Sequence, residues 1–365
     1  MASGPGKHLS HIDAFLKSAM MQRTKAFHPY TAAQMAVGSR MKTTIRATAA
    51  MLPIVARGAQ AAALLLLLAS VTGAAAFRAD SLQIAAPALV PAAALLALIA
   101  GGTAPSPGDR LLGWSWFAAA LAWGWALAAP LQSPAPTHLP TPNTPFRMIS
   151  FNIYRDNAQV HEAVAWILAQ KPDAVVLLEA MPLDNSAFLP LTLEFPFVEA
   201  CAPQLRCSTT IFARHPFAMA WHHAQGDPEN RKALSAVTVL VNTGCASVPI
   251  TAVHLSRPWP LGWQRQELRT LAQVLRTEGR GGVLAGDFNS APWTFAMRRL
   301  ARAGQLRLAS GARPTWPSGT MGTPLLPLDQ IYVGRAIAIR AVSRGPHLGS
   351  DHRPMVTDLT IPCER

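Results

Sequence analysis

The chain has 365 residues, half of them hydrophobic and only 14% charged. A soluble globular protein carries roughly 25% charged residues, so a disordered or highly solvated chain is excluded and membrane spans are expected. The net charge of +13 is dispersed: residues 1–58 carry eight Lys/Arg against Asp13 alone, 59–146 are neutral, and 147–365 carry 22 basic and 16 acidic residues. No dense nucleic-acid-binding tract is present.

Residues 1–40 show no sustained apolar periodicity, and Met41-Lys42 offers an alternative start. Residues 1–57 are expected to be a basic cytoplasmic tail without fixed structure. From 58 to 77 no residue is charged, about one bilayer crossing for a helix. A basic flank, a Leu core and an Ala-rich end also fit a cleaved signal peptide, but two further apolar stretches follow. Uncharged residues fill 81–108, and 111–132 includes Trp114, Trp116, Trp123 and Trp125, suited to interfacial anchoring. The sequence predicts three transmembrane helices within 58–132, at about 58–77, 83–103 and 111–130, with Pro87 and Pro91 tolerated in the second.

The basic excess before the first span places the N-terminus in the cytoplasm. Three crossings then put everything after Gln132 on the periplasmic side of the inner membrane. All four cysteines lie there, where disulfides are permitted. Cys201 and Cys207 are near enough in sequence to close a small loop, which leaves Cys245 for Cys363; four unpaired buried thiols are the alternative. No CxxC or HxxxH spacing suggests zinc. The proline-rich stretch 133–146 reads as a semi-rigid linker, with a reach on the order of 40 Å at roughly 3.1 Å per residue.

Residues 147–365 are long enough for one well-buried domain. Short β-rich runs fall at 147–154, 174–178, 208–213, 233–241, 248–255, 282–285, 330–333, 336–342 and 355–361, with amphipathic helical stretches at 158–170, 261–277 and 293–303. Polar residues collect where the runs end: Asn152, Glu179, His254, Asp287 with Asn289, Asp329, and Asp351-His352. One such residue is ordinarily a turn or cap. A set of carboxylates with imidazoles is what metal-assisted attack by water requires.

The ordered series ISFNIY, VVLLEAM, TAVHLSRP, LAGDFNSAPW, LDQIYV and GSDHRPMV resembles the endonuclease/exonuclease/phosphatase superfamily. The resemblance covers nearly all of 147–361 and none of 1–146. It implies a four-layer α/β/β/α sandwich behind the three transmembrane helices, and a metal-dependent hydrolase of phosphoric esters using Mg²⁺, with Mn²⁺ as a substitute. It further implies that Glu179, Asn152 and Asp351 form the metal centre. Asp287 and Asn289 would position and deprotonate water, His352 held by Asp329 would contact the scissile phosphate, and His254 would donate to a phosphate oxygen or the leaving group. Either Asp287 or the Asp329–His352 pair can be the base.

Tethering to the bilayer raises the effective concentration of the site towards lipid substrates. The three-span arrangement also resembles bacterial membrane proteins of this superfamily associated with teicoplanin resistance, which implies polyprenyl-pyrophosphate or related envelope phosphates as substrates. Arg231 and Lys232 are candidate headgroup contacts or a solvated turn. Trp259, Trp263 and Trp293 are either an apolar rim or core. An extracytoplasmic nuclease acting on nucleic acid and a non-enzymatic membrane scaffold are the alternatives; no obligate protein partner is evident.

Overall fold

In the computed structural model, residues 32–131, 142–180, 186–201, 208–223, 234–258, 262–319 and 322–363 are described. The chain starts with α1, Ala32–Val71, a continuous helix of 40 residues. The tail expected over 1–57 is therefore helical from Ala32 onward. Its Ala, Met, Lys and Arg residues are strong helix formers, and the first stretch long and apolar enough to cross a membrane covers Ala50–Ala74. Two further stretches are long and apolar enough to cross a membrane, Asp80–Thr103 and Pro107–Leu131; they contain α2, Ala86–Thr103, and α3, Pro107–Ala128.

Small residues bring the three helices together. A Cβ on Gly113 would sit 2.4 Å from the Gly101 backbone nitrogen, so the α2–α3 crossing is a backbone-to-backbone approach. Ala63, Ala93, Ala97 and Ala120 are fully buried beside it, while Leu65, Leu95, Leu121 and Trp125 face outward. Trp123 Nε1 donates to Ser70 Oγ across the bundle at 3.0 Å.

The C-terminal part is a sandwich of two six-stranded mixed sheets. The first contains β1 (Asn143–Asn152), β2 (Ala174–Leu178), β3 (Phe197–Ala200), β4 (Thr209–Ala213), β11 (Ala338–Arg344) and β12 (Met355–Pro362), in the order β11-β12-β1-β2-β4-β3. The second contains β5 (Phe217–His222), β6 (Ser235–Asn242), β7 (Ser247–His254), β8 (Val283–Asp287), β9 (Leu306–Leu308) and β10 (Asp329–Gly334), in the order β5-β6-β7-β8-β10-β9. Met148, Val176, Ile211, Val239, Ile250, Ala285 and Ile331 fill the space between the sheets. Outside the first sheet lie α4 (Val160–Ala169) and α5 (Leu189–Glu194); outside the second lie α6 (Trp263–Val274) and α7 (Phe295–Ala303). Ile167 and Leu191 pack on Phe151, Leu177 and Phe212, and Leu271, Met297 and Leu300 pack on Val253 and Leu284. Every face of both sheets is thus covered, and the expected four layers form.

One boundary of the domain moves. Residues 143–146, expected to be linker, begin β1, because their backbone pairs with Leu359–Pro362 of β12. Three short strands, β3, β5 and β9, were not expected from the sequence. At the pole where β1 begins and β12 ends, Cys245 and Cys363 form a disulfide across a sequence separation of 118. Cys207, and with it the expected Cys201–Cys207 pairing, lies outside the described residues; no described cysteine is free.

Candidate active site

The opposite pole is where the polar residues meet. Each sheet contains one parallel pair whose strands end side by side. Asn152 pairs in register with Leu178, just before Glu179; His254 pairs with Asp287. Antiparallel β10 begins there too, with Asp329 opposite Asp287. Sheet topology therefore places five of the expected residues at this pole, and the loop before β12 adds Asp351 and His352. Glu179, His254, Asp287, Asp351 and His352 line a cavity of about 590 Å³ together with Tyr154, Arg257, Trp316 and Leu328, and Asn152 and Asp329 stand behind them, bonded to Glu179, Asp287 and His352.

Asp287 lies at the centre. Its Oδ1 accepts from the Asn289 backbone N–H at 2.8 Å. Its Oδ2 accepts from Asn152 Nδ2 at 3.2 Å and stands 3.7 Å from both His254 Nε2 and His352 Nε2. Burial pushes this carboxyl above its usual range, and the facing His352 only partly opposes the shift. Asn152 Nδ2 also donates to Glu179 Oε1 at 3.1 Å, while its Oδ1 accepts from the Tyr154 N–H. In this arrangement Asn152 presents a donor to two carboxylates, which suits an orienting residue better than a metal ligand. Three non-glycine backbone positions here are left-handed, Tyr154 at φ 62°, Glu179 at φ 60° and Asn289 at φ 47°. Asn adopts that region readily, but in Glu it marks a local backbone cost held by the surrounding structure; the Glu179 N–H bond to the Ser208 carbonyl, 2.7 Å, is part of that hold.

The two histidines differ. Nδ1 of His254 shares a hydrogen bond with Ser208 Oγ at 3.0 Å, and its Nε2 lies 3.7 Å from Glu179. Nδ1 of His352 donates to Asp329 Oδ2 at 2.7 Å. Burial disfavours the His352 imidazolium, yet the carboxylates of Asp329 and Asp287 prevail and push its pKa up to about 10. The loop is fixed by Ser350, whose Oγ donates to the Asn152 carbonyl and accepts from the His352 N–H.

Oxygen donors dominate the cavity, which suits a hard divalent cation such as Mg²⁺. The tightest His/Asp group is Asp287, Asp329 and His352, with one ligand atom of each within 4.8 Å of the others. It makes a poor metal centre, because all three side chains are buried and His352 Nδ1 is already engaged by Asp329. Glu179 fits better: its side chain keeps 24% of its surface exposed and lines the cavity. Asp351 lines it too, with Oδ2 accepting from the Trp316 indole at 3.2 Å.

The structure thus brings together eight of the ten candidate site residues. Arg231 and Lys232 lie outside the described residues, as does Trp259. Trp263 is half-buried on α6, and Trp293 is buried against Ala86, Val90 and Leu127 of the apolar helices instead of forming a rim. Four contributors were not foreseen. Arg257 is the one Lys/Arg lining the cavity among the described residues, and Trp316 holds Asp351. Gln264 and Glu267, on α6, are buried and hold the loop after His254: Glu267 accepts from Ser256 N–H and Oγ, and Gln264 donates to the Ser256 and Phe288 carbonyls. The HLSRP segment itself signalled Arg257; the α6 residues carried no signal beyond an amphipathic pattern.

The Endonuclease/Exonuclease/phosphatase family pattern matches residues 149–352, more than half of the chain. Among solved structures, the chain is similar to an endonuclease/exonuclease/phosphatase from Bacteroides vulgatus, with 16% identity, coverage of 60% of this chain and 100% of that one, and a TM-score of 0.49. It is also similar to the 3′ phosphatase NExo from Neisseria bound to a product DNA hairpin (16% identity, 58% and 98% coverage, TM-score 0.48). A third is sphingomyelinase C from Streptomyces griseocarneus (16% identity, 60% and 99% coverage, TM-score 0.43). No curated protein matches significantly. The family match, with these strand-end carboxylates and imidazoles in one cleft, places the chain in the endonuclease/exonuclease/phosphatase family of divalent-metal-dependent enzymes that hydrolyse phosphoric ester bonds.

Proposed function

We propose that this protein is a membrane-embedded Mg²⁺-dependent phosphoesterase acting on lipid-linked phosphates at the outer face of the cytoplasmic membrane. The observation that carries this reading is the wall of the catalytic cavity. Ser81, Ile84 and Ala85, from the 3-10 connector Phe77–Ala85 that leads into α2 and whose last six residues begin the second apolar stretch, line it together with Glu179, Asp287 and His352. A catalytic cleft bordered by a transmembrane segment is suited to substrates held in the bilayer. The resemblance to teicoplanin-resistance-associated membrane proteins supports polyprenyl phosphates of the cell envelope among them, and Arg257 at the cavity supports contact with a further phosphate oxygen.

Topology follows the same logic. The connector after the first span and the domain after the third must share a side, as their contact requires. The eight Lys/Arg ahead of the spans favour the cytoplasm for the N-terminus. The Cys245–Cys363 disulfide favours an oxidising compartment for the domain.

Glu179 and Asp351 would hold the divalent ion, with Asn152 fixing the Glu179 and Asp287 carboxylates. When bound, the ion would supply Lewis-acid polarisation of a phosphoryl oxygen. Asp287 is the better base than the Asp329–His352 pair, because His352 already carries its proton, whereas burial makes the Asp287 carboxylate a stronger proton acceptor. Asp287 Oδ2 would take the proton of the attacking water, with Asn289 holding Oδ1. His352, kept cationic by Asp329, would donate to a phosphoryl oxygen as charge accumulates. His254 would donate through Nε2 to a second oxygen or to the leaving group. A substrate panel tests the reading: full-length protein in lipid nanodiscs with Mg²⁺, offered lipid phosphates, sphingomyelin and plasmid DNA. Preferential hydrolysis of lipid phosphates is expected, and preferential cleavage of DNA would replace the reading with the nuclease alternative.

A further inference from the structure

The connector does more than border the cavity. Asp80 is 5% exposed, and burial of a carboxylate is unfavourable unless its oxygens are satisfied. Both are satisfied by α7: Oδ1 accepts from the Phe295 N–H at 3.0 Å and Oδ2 from the Ala296 N–H at 2.8 Å. Gln83 Oε1 accepts from the same Phe295 N–H at 2.9 Å, and the Gln83 carbonyl accepts from Trp293 Nε1 at 2.8 Å. The first N–H groups of a helix have no partner within it, and a carboxylate there also meets the positive end of the helix dipole. Here that cap comes from a residue 215 positions away.

The contact continues along α7. Arg299 donates to the Ala74 carbonyl at 2.7 Å, and Arg298 donates to the Ala126 and Leu127 carbonyls at the end of α3, 3.2 Å each. Trp123 stacks on Phe295 with ring centroids 6.1 Å apart. Ala86, Val90 and Leu127 bury Ala291 and Trp293. The segment held in this way, 288–296, directly follows Asp287 and includes Asn289. Ile84 and Ala85 directly precede α2, so the cavity wall runs without interruption into a membrane span.

We infer that the connector Phe77–Ala85, which leads into α2, is the specificity-determining wall of the active site. Asp80 and Gln83 latch it to α7, and Ile84 and Ala85 receive the apolar chain next to the phosphate of a membrane-borne substrate. The inference rests on the lipid-phosphate reading and names the part of the chain that selects for it. Asp80 and Gln83 are positioning residues, since they touch α7 and not the reacting atoms. A prenyl or acyl chain can leave the cavity along Ile84 towards the bilayer, while a small water-soluble ester gains nothing from that surface.

The test uses full-length protein in nanodiscs and the ratio of kcat/KM for lipid probes (dioleoyl phosphatidate and a prenyl diphosphate) to that for p-nitrophenyl phosphate. Losing a well-placed apolar contact typically changes discrimination about tenfold or more. Ile84→Gln and Asp80→Ala should each lower the ratio on that order, mainly through KM for the lipid probe. Asp80→Asn should restore part of it, because an amide oxygen still accepts one N–H. Amide hydrogen exchange read by mass spectrometry should be faster at Phe295 and Ala296 in Asp80→Ala. An unchanged ratio in both Ile84→Gln and Asp80→Ala, with wild type still preferring lipid, would overturn this inference alone, as would unchanged exchange at α7. A wild type that hydrolysed p-nitrophenyl phosphate but neither lipid probe would overturn the substrate reading as well. Ile84→Gln leaves the latch intact, so the inference stays open to refutation if Asp80→Ala does not fold.

Discussion

Asp329→Asn separates charge from shape at the His352 pair. Asn keeps an oxygen that can accept from His352 Nδ1, now 2.7 Å from Asp329 Oδ2, but the neighbouring negative charge is gone. Hydrogen bonds to charged groups contribute about 1.5–3 kcal/mol to stability. For a domain of this size each kcal/mol moves Tm by roughly 2–4 °C, so a drop of roughly 3–12 °C is expected where the pair is charged. The sign follows from the direction of the shift. The His352 pKa is raised from 6.5 to about 10 in the folded protein. Its stabilisation is therefore fully present below about pH 6.5 and is lost as pH rises through about 10. The difference in Tm between wild type and Asp329→Asn should be largest near pH 6 and should shrink towards pH 10. Without Asp329, burial lowers the imidazolium pKa, so the alkaline limb of activity should also move down in pH. Turnover at neutral pH should fall, by less than the roughly 10²–10³-fold expected when a preorganised donor is removed outright. Thermal unfolding of the purified full-length protein across pH 6–10, with a pH–rate profile, measures both. A Tm difference that did not change with pH, or an unmoved alkaline limb, would refute the assignment of a cationic His352.

Three other outcomes follow from the same geometry. Glu179→Gln should weaken metal affinity and recover partly at higher Mg²⁺, whereas His352→Ala should lose roughly 10²–10³-fold in turnover with no recovery; turnover titrated against Mg²⁺ distinguishes them. Cys245→Ser should destabilise the domain by about 2–5 kcal/mol, because the bridge closes a long loop, seen as a lower Tm under oxidising conditions. Alkaline phosphatase fused after Leu139 should be active, since that junction is expected on the periplasmic side, and activity of a cytoplasm-only reporter there would contradict the topology.

The site was legible in the sequence because the fold turns strand ends into chemistry. Apolar β runs such as AVVLL and ITAV each end in a single polar residue, and two parallel pairings bring those ends together. The strands missed have weaker patterns: FVEA and LRL are very short, and FAMAWH is an edge strand with half-exposed residues. The basic segment before the first span was read as a tail for its charge, although its Ala, Met, Lys and Arg content favours the helix that forms. Proline content in 133–146 signalled a linker, but cross-strand pairing with β12 claims its last four residues. Nothing local marked Asp80. It reads as one loop acid beside Arg78, and its role appears only when a helix more than 200 residues later presents two backbone N–H groups to it. The sequence implied tethering; the direct docking of the connector on α7 is a tertiary property.

Lipid-phosphate hydrolysis is tested most directly by ³¹P NMR of liposomes containing the full-length protein and a long-chain prenyl diphosphate, followed with Mg²⁺ and then with excess chelator. Loss of the diphosphate resonances and growth of a product phosphate signal are expected with Mg²⁺, with arrest on chelation. Unchanged lipid resonances under conditions in which the same preparation cleaves plasmid DNA would contradict it.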